Sequence, residues 1–423
     1  MSCLAARPTS THRNTSEGIS MMTATPLQAT LVIGGVDTHA ETIHVAAIDD
    51  LGRDLGDQEF PTTPVGYREA LAFLIGHGTL SMIGIEGTSS YGAGIARAAR
   101  TAGIEVREVT RPDRATRRMQ GKSDPIDAYA AARAVLSGRA DAAPKDEQVD
   151  AIRALHIARN SAVKARTAAM NQIHHMLITA PVPIREKYRT LKEKPLVNAL
   201  AACRPATQEP THRAVLHALK TLAQRHQFLT AQADDLHAEL DALATAANPH
   251  LRSIRGVGPT TAAQLLITAG GNPERLRAEA SFAALCGTAP VPASSGKTTR
   301  YRLSRGGDRA ANSALHRIAL NRMSSDPRTR DYVARQRASN RSTPEILRML
   351  KRAIAREIFK SLTQGLAAPL LADLRPARQA KNITITAAAK ALGTYPSKLS
   401  RTEHGTYPDY DLAHRYREWL AAA

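Results

Sequence analysis

The chain has 423 residues, which at roughly 150 residues per domain is room for two or three domains. Hydrophobic residues make up 43% and aromatic residues only 4%; the first figure excludes wholesale disorder, and the second argues against an aromatic sugar cleft or a base-stacking platform. Lysine plus arginine exceed aspartate plus glutamate by 19, so the expected partner is a polyanion, DNA or RNA.

The three cysteines, Cys3, Cys203 and Cys286, lie far apart with no CxxC pair, so neither a disulfide framework nor a zinc knuckle is expected. No amphipathic anchor, lipidation signal or apolar leader is evident. The most tempting uncharged window, 256–273, is interrupted by Gly258, Pro259, Gly270 and Gly271. The expectation is therefore a cytoplasmic protein with no membrane partner.

Residues 1–29 are rich in Ser, Thr, Ala and Arg without any period and read as a disordered extension. A different pattern begins at residue 30. Leu31 to Asp37 is an apolar run ending in an acid, and Thr42 to Ile48 is a second β-rich run. Asp49-Asp50-Leu51-Gly52 between that run and the next fits a hairpin turn. Asp57 to Thr62 reads as a third strand, Gly66 to His77 as a helix, and Ser81 to Glu86 as another strand ending in an acid. Tyr91 to Ala102 reads as a helix and Ile104 to Val109 as a strand. The order β-β-β-α-β-α-β predicts a mixed sheet with helices packed on it, spanning 30–143 with a further helix from Asp124 to about Ser137.

Residues 144–250 read as a helical insert. Ile152, Leu155, Ala162, Val163, Met170, Ile173 and Leu177 recur at helical steps, and Pro181 and Pro183 break the run. Val215, Leu222, Leu229, Leu236 and Leu243 then recur by sevens, with Leu219 and Leu240 at alternate positions. This is either a coiled-coil seam or one helix packing in a bundle. A second compact, mainly helical region follows at 251–366. Its Arg255-Gly256-Val257-Gly258-Pro259-Thr260 resembles the turn of a helix-hairpin-helix, which aims backbone N–H groups at phosphate.

The acids that end two strands, Asp37 and Glu86, are brought side by side if those strands are neighbours. Asp124 and Asp127, three residues apart, share a helix face. Four clustered carboxylates repel one another unless cations intervene. Mg²⁺ prefers such oxygen ligands, and a pair of ions can flank a phosphodiester. The plainer reading of Asp124-Pro125-Ile126-Asp127 is an N-cap and capping box. The joint pattern is similar to the layout of ribonuclease-H-like nucleases.

Ala289 to Lys297 is a loop by composition and holds Ser294, Ser295 and Gly296. Lys297, Arg300, Arg302, Arg305 and Arg309 follow. From Lys297 to Lys360 there are 17 basic and 5 acidic residues, more than half of the chain's positive excess, and this is the footprint of nucleic acid. A serine here could attack a phosphate held by those cations, although no neighbouring base is evident. A plain Ser-Ser-Gly turn is the alternative.

Taken together, Gly-Val-Asp37-Thr-His, Gly-Ile-Glu86-Gly-Thr and Lys122-Ser123-Asp124-Pro125-Ile126-Asp127-Ala128 resemble the DEDD signature of the insertion sequence 110 family of transposases. Ile254-Arg255-Gly256-Val257-Gly258-Pro259, Phe282 to Gly287 and Ser295-Gly296-Lys297 resemble its second block, so the likeness runs over about 30–366. The resemblance implies a RuvC-like N-terminal domain with Asp37, Glu86, Asp124 and Asp127 as a Mg²⁺-binding tetrad. It implies a C-terminal transposase domain in which Ser295, with Ser294 in reserve, forms a phosphoserine link to DNA. It also implies a homo-oligomer, a dimer or tetramer, whose protomers complete each other's active sites. A guide RNA from the element is implied as a further partner. Two departures stand out: Asn312, where the family often has Arg, and the N-terminal extension.

Residues 380–423 lie outside that likeness. Ala389, Gly393 and Leu399 have the spacing of a helix-turn-helix, which would present Ser397, Lys398 and Arg401 to a DNA groove. A helical hairpin for oligomer contacts is the alternative. The leading expectation is a transposase or recombinase. The rivals are a junction nuclease acting by hydrolysis, which needs no serine, and a non-catalytic regulator, which gains nothing from four clustered acids.

Overall fold

The computed structural model describes residues 30–109, 123–144, 147–206, 209–270, 276–292, 301–302, 304, 306–368, 370–405 and 409–423. The expected extension at 1–29 lies outside these residues. The chain divides into two compact units, with the boundary between Asp141 and Ala142.

The first unit is built on a five-stranded mixed sheet in the order β3-β2-β1-β4-β5. Strands β1 (Leu31–Thr38), β2 (Thr42–Asp49) and β3 (Asp54–Pro61) form an antiparallel meander. The turn between β2 and β3 is locked by Asp49, whose Oδ1 accepts the N–H groups of Leu51 and Arg53. Helix α1 (Pro64–Gly76) leads to β4 (Thr79–Glu86), which runs parallel to β1. Helix α2 (Ala93–Thr101) leads to β5 (Glu105–Val109), parallel to β4. The expected element order is the observed one. The third strand starts three residues earlier than its apolar content indicated, because it is an edge strand whose Asp54, Asp57 and Glu59 stand in solvent.

Alternation along the strands decides what lies on each face. Val32, Val36, Ile83 and Ile85 pack against Leu71, Leu74 and Ile95 of α1 and α2. Ile33 and Ile48 pack on the other face against Ala131, Ala132 and Val135 of α3 (Asp124–Leu136). Asp37 shares the parity of Ile33 and Gly35, and Glu86 that of Gly84, so both acids belong to the α3 face.

The second unit contains two long helices, α4 (Glu147–Thr179) and α7 (Pro210–Ala247), joined through α5 (Val182–Tyr188) and α6 (Glu193–Ala202). Ile152 packs with Leu240 and Ala244, Ala162 with Leu229 and Ala233, and Ile173 with Leu219 and Ala223. The two helices are therefore antiparallel partners. The seam differs from the seven-residue row read from the sequence. Leu219, Ala223, Leu229, Ala233, Leu240 and Ala244 are buried, whereas Leu222, Leu236 and Leu243 lie at its flank. Alanines at the seam let the two backbones approach, and the larger leucines then cover its sides.

Helices α8 (Pro249–Ser253), α9 (Pro259–Ala269), α10 (Glu279–Leu285), α11 (Arg309–Ser325), α12 (Pro327–Ala338) and α13 (Thr343–Thr363) follow. Leu265, Phe282, Leu315, Ile318, Ile354 and Ile358 form their common core, and Ile152, Leu240 and Ala244 of the long helices enter it. Two short strands, β6 (Val291–Pro292) and β7 (Tyr301–Arg302), pair antiparallel.

The C-terminal helices are α14 (Leu374–Ala380), α15 (Ile385–Ala391), α16 (Pro396–Glu403) and α17 (Tyr410–Ala422). They close over Leu374, Ala388, Ala389, Leu399, Tyr416 and Leu420. Gly393 turns the chain between α15 and α16 at φ +62°, the left-handed region expected there. No described helix is long and apolar enough to cross a membrane.

Candidate metal centre and nucleic-acid surface

Two glycines bring the acids together. A Cβ at Gly35 would lie 2.0 Å from the Ala128 carbonyl oxygen and 2.4 Å from the Ala132 nitrogen. A Cβ at Gly84 would lie 2.5 Å from Val135 Cγ2. Only glycine lets α3 lie flush on β1 and β4. The N-terminus of α3 then carries Asp124 and Asp127 to the strand ends. Gly35→Ala must push α3 away. It is expected to cost the upper end of the ~1–3 kcal/mol typical of overpacking, read as a lower denaturation midpoint, and to abolish cleavage.

Val36 of β1 pairs with Ile85 of β4, so Asp37 and Glu86 sit one step further on, at the C-terminal ends of the two strands. Thr38 ties the two strand ends by donating its hydroxyl to the Glu86 carbonyl at 3.0 Å. Asp37 and Asp127 are each only 7% exposed, whereas the Asp124 side chain is 40% exposed. Burial pushes the Asp37 carboxyl above its ordinary range; Asp127 and Asp124 push the same way, while His39 and the Thr38 amide oppose them. Ser123 is the N-cap of α3, and its side chain makes no capping hydrogen bond. Asp124 is therefore not the cap that the plainer sequence reading allowed.

Sequence reasoning passed over His39. Ligand atoms of Asp37, His39 and Asp124 lie within 4.8 Å of one another. Asp37 Oδ2 and His39 Nε2 are buried without hydrogen-bond partners. They form an ion pair with each other at 3.3 Å, but buried polar atoms without a hydrogen bond are uncommon, and a divalent cation would satisfy both. The residues present therefore fit such an ion.

Ser294, Ser295, Lys297, Arg300 and Arg305 lie outside the described residues, and Arg302 and Arg309 are exposed. The chain on either side is firmly held. A Cβ at Gly307, which has φ +86°, would meet the Leu285 carbonyl oxygen at 2.5 Å. Asp308 donates its N–H to that same oxygen, accepts the Thr268 hydroxyl, and caps α11 at Ala310 and Ala311. Asn312 donates to the Cys286 and Gly287 carbonyls and accepts from the buried Lys351 ammonium at 2.9 Å. Asn312 is thus a structural bridge; an arginine there would meet the Lys351 charge. Burial pushes the Cys286 thiol up to about 12, which removes it as a rival nucleophile at neutral pH.

Arginines 328, 330, 335 and 337 of α12 are exposed and extend the basic surface. In the helix-hairpin-helix-like segment, Gly256 turns at φ +78° and Gly258 precedes α9 with no side-chain cap. The space in front of Gly258 is open. Arg252 braces this turn by donating to the Val257 carbonyl and to Asp241. A cleft of about 720 Å³ beside the turn is lined by Arg252, Arg255, Lys398, Asp409 and Arg415, among others. Ser397 and Arg401 are exposed on α16, while Lys398 is paired with Asp409 at 2.7 Å.

Residues 34–180 match the DEDD transposase model of IS110, and residues 248–334 match the model described as the transposase IS116/IS110/IS902 family. Together these matches cover more than half of the chain. The chain belongs to the IS110 family of transposases. The "Insertion element IS110 uncharacterized 43.6 kDa protein" of Streptomyces coelicolor is 36% identical over 133 residues, 31% of this chain and 33% of that protein. The match thus spans about a third of the length of that curated relative. The acid cluster falls inside the first family match and the Ser295 segment inside the second, while α14 to α17 lie beyond both.

Proposed function

We propose that the chain is the transposase of a bacterial insertion element, cutting and rejoining DNA with Asp37, Glu86, Asp124 and Asp127 as metal-binding acids and Ser295 as nucleophile. The observation that carries this reading is the convergence of buried Asp37 with Asp124 and Asp127 at the C-terminal end of an interior strand of a mixed sheet, within a chain of net charge +19. A bound Mg²⁺ would neutralise charge on the scissile phosphate and its leaving oxygen. The acids would hold and orient the cation; the basic residues from Lys297 to Arg309, with the arginines of α12, would grip the DNA backbone.

The Ser295 Oγ attacks phosphorus and forms a phosphoserine ester. The bond to the departing sugar oxygen breaks, and that oxygen takes up a proton and leaves as a hydroxyl. A strand hydroxyl then attacks the ester, rejoins the DNA and returns the serine. The Ser295 loop and its basic flank favour this route over hydrolysis. The further partners in this reading are a guide RNA and other copies of the chain. The domain limits are 30–143 for the RuvC-like part, 144–250 for the linker, 251–366 for the serine part and 380–423 for a helix-turn-helix reader of DNA.

The test combines binding with cleavage on DNA carrying the element ends. Asp127→Ala is expected to retain binding and lose nicking. Retained nicking would remove the acids from the chemistry, and an inactive native chain that binds DNA through α16 alone would favour the regulator. With six to ten phosphates held, affinity should fall about 10³–10⁵-fold between 50 and 200 mM salt.

A further inference from the structure

We propose that His39 is a nitrogen ligand of the metal centre, between Asp37 and Asp124, and that it strengthens Mn²⁺ binding more than Mg²⁺ binding. The proposal rests on the reading of the acids as a metal site.

The two oxygens of Asp37 have different surroundings. Oδ1 accepts the Thr38 N–H at 2.9 Å, which fixes the carboxylate plane. Oδ2 has no hydrogen-bond partner and lies 3.3 Å from His39 Nε2. Asp124 Oδ1 approaches the same nitrogen at 3.2 Å. Although the atoms are close, His39 Nε2 is aligned for a hydrogen bond with neither acid. Close approach without that alignment is how ligand atoms sit around an ion. Adjacent corners of an octahedron with bonds of about 2.1 Å are roughly 3.0 Å apart.

The backbone places the imidazole there. Strand β1 ends at Thr38, which is tethered to Glu86, and the His39 N–H donates to the Thr42 carbonyl at 3.0 Å. That tight return carries the side chain back over the acids. Mg²⁺ is a hard ion that prefers oxygen, whereas imidazole nitrogen is favoured increasingly along the first-row transition ions, of which Mn²⁺ gains the least. The two carboxylates suit both ions, so the imidazole is the group that adds more to Mn²⁺ than to Mg²⁺ affinity.

The alternative is an imidazole that only balances the acids while no ion is bound. Titrating the full chain with Mn²⁺, with the bound ion read by electron paramagnetic resonance and pulsed ¹⁴N coupling, separates the two. The native chain should show nitrogen coupling at a site that Asp37→Asn removes. His39→Gln should lose the coupling and bind Mn²⁺ at least ~10-fold more weakly, the scale seen for losing even an outer-sphere partner, while Mg²⁺ affinity changes less. Mn²⁺ bound at the Asp37-dependent site without nitrogen coupling, or an unchanged Mn²⁺/Mg²⁺ ratio in His39→Gln, overturns the ligand and leaves the metal site standing. No Asp37-dependent Mn²⁺ in the native chain overturns both. The native spectrum decides the ligand whether or not the variant folds well.

Discussion

Asp37→Asn is expected to stop DNA strand cleavage and, in metal-free buffer, to make the chain harder to melt. Losing a central ligand removes several kcal/mol of charge stabilisation in the transition state, so cleavage should fall by at least ~10³-fold. The stability change runs the other way. Burial, with Asp127 and Asp124 nearby, raises the Asp37 carboxyl above its ordinary range. The folded state therefore holds that proton more tightly than the unfolded chain does. The stabilisation from a protonated Asp37 is fully present below the ordinary value of 3.8 and is lost as pH rises through the folded value. At neutral pH the ionised carboxylate is a burden on the fold. Asparagine removes the charge and keeps an oxygen for the Thr38 N–H. Each kcal/mol relieved should raise the melting midpoint by roughly 2–4 °C, and the gain should shrink in acid. Calorimetry of both proteins across pH, with chelator, measures it; a lower midpoint for Asp37→Asn at neutral pH would contradict the repulsion argument.

Much of the first unit was legible because its signals are local. Apolar runs ending in an acid at Leu31–Asp37 and Ser81–Glu86, with turn residues at Asp49–Gly52, marked strands and their ends. What the pattern left out was contact across the fold. His39 follows a strand and looks like any loop histidine; only the hydrogen bonds at Thr38 and Thr42 turn it back onto the acids. Asn312 reads as a lost arginine until Lys351, 39 residues away, is seen bonded to it. In α7 the leucines outweigh the alanines by eye, yet close approach of two helices selects Ala223, Ala233 and Ala244 for the seam.

Glu403→Ala should unfold the C-terminal helices while leaving the rest of the chain folded. The Glu403 side chain is 1% exposed and accepts two hydrogen bonds from Arg378, at 2.7 and 3.0 Å, and one from the Tyr416 hydroxyl at 2.8 Å. Burial alone would raise its carboxyl, but the Arg378 and Tyr416 bonds prevail and hold it below the ordinary range. Removing the acid strands the Arg378 guanidinium, a loss of about 3–5 kcal/mol. A cluster of about fifty residues has little stability to spare. Limited proteolysis should cut the variant ahead of α14, and DNA affinity should drop to that of a chain truncated near residue 380, with cleavage chemistry retained. The Glu403 contribution is present above its ordinary value of 4.5 and lost as pH falls through the lower folded value, so this segment should be the first to open in acid. Unchanged protease resistance would contradict the assignment.

Cutting through a serine ester is the claim on which the account stands, and a denaturing gel reads it directly. End-labelled element-junction DNA is incubated with the chain, a divalent cation and RNA transcribed from the element's flanks, beside Ser295→Ala. A protein-linked DNA band present with the native chain and absent with Ser295→Ala is the predicted result. Cleaved DNA with no linked band, unchanged in Ser295→Ala, would contradict it and leave a hydrolytic nuclease with Ser295 as a turn residue.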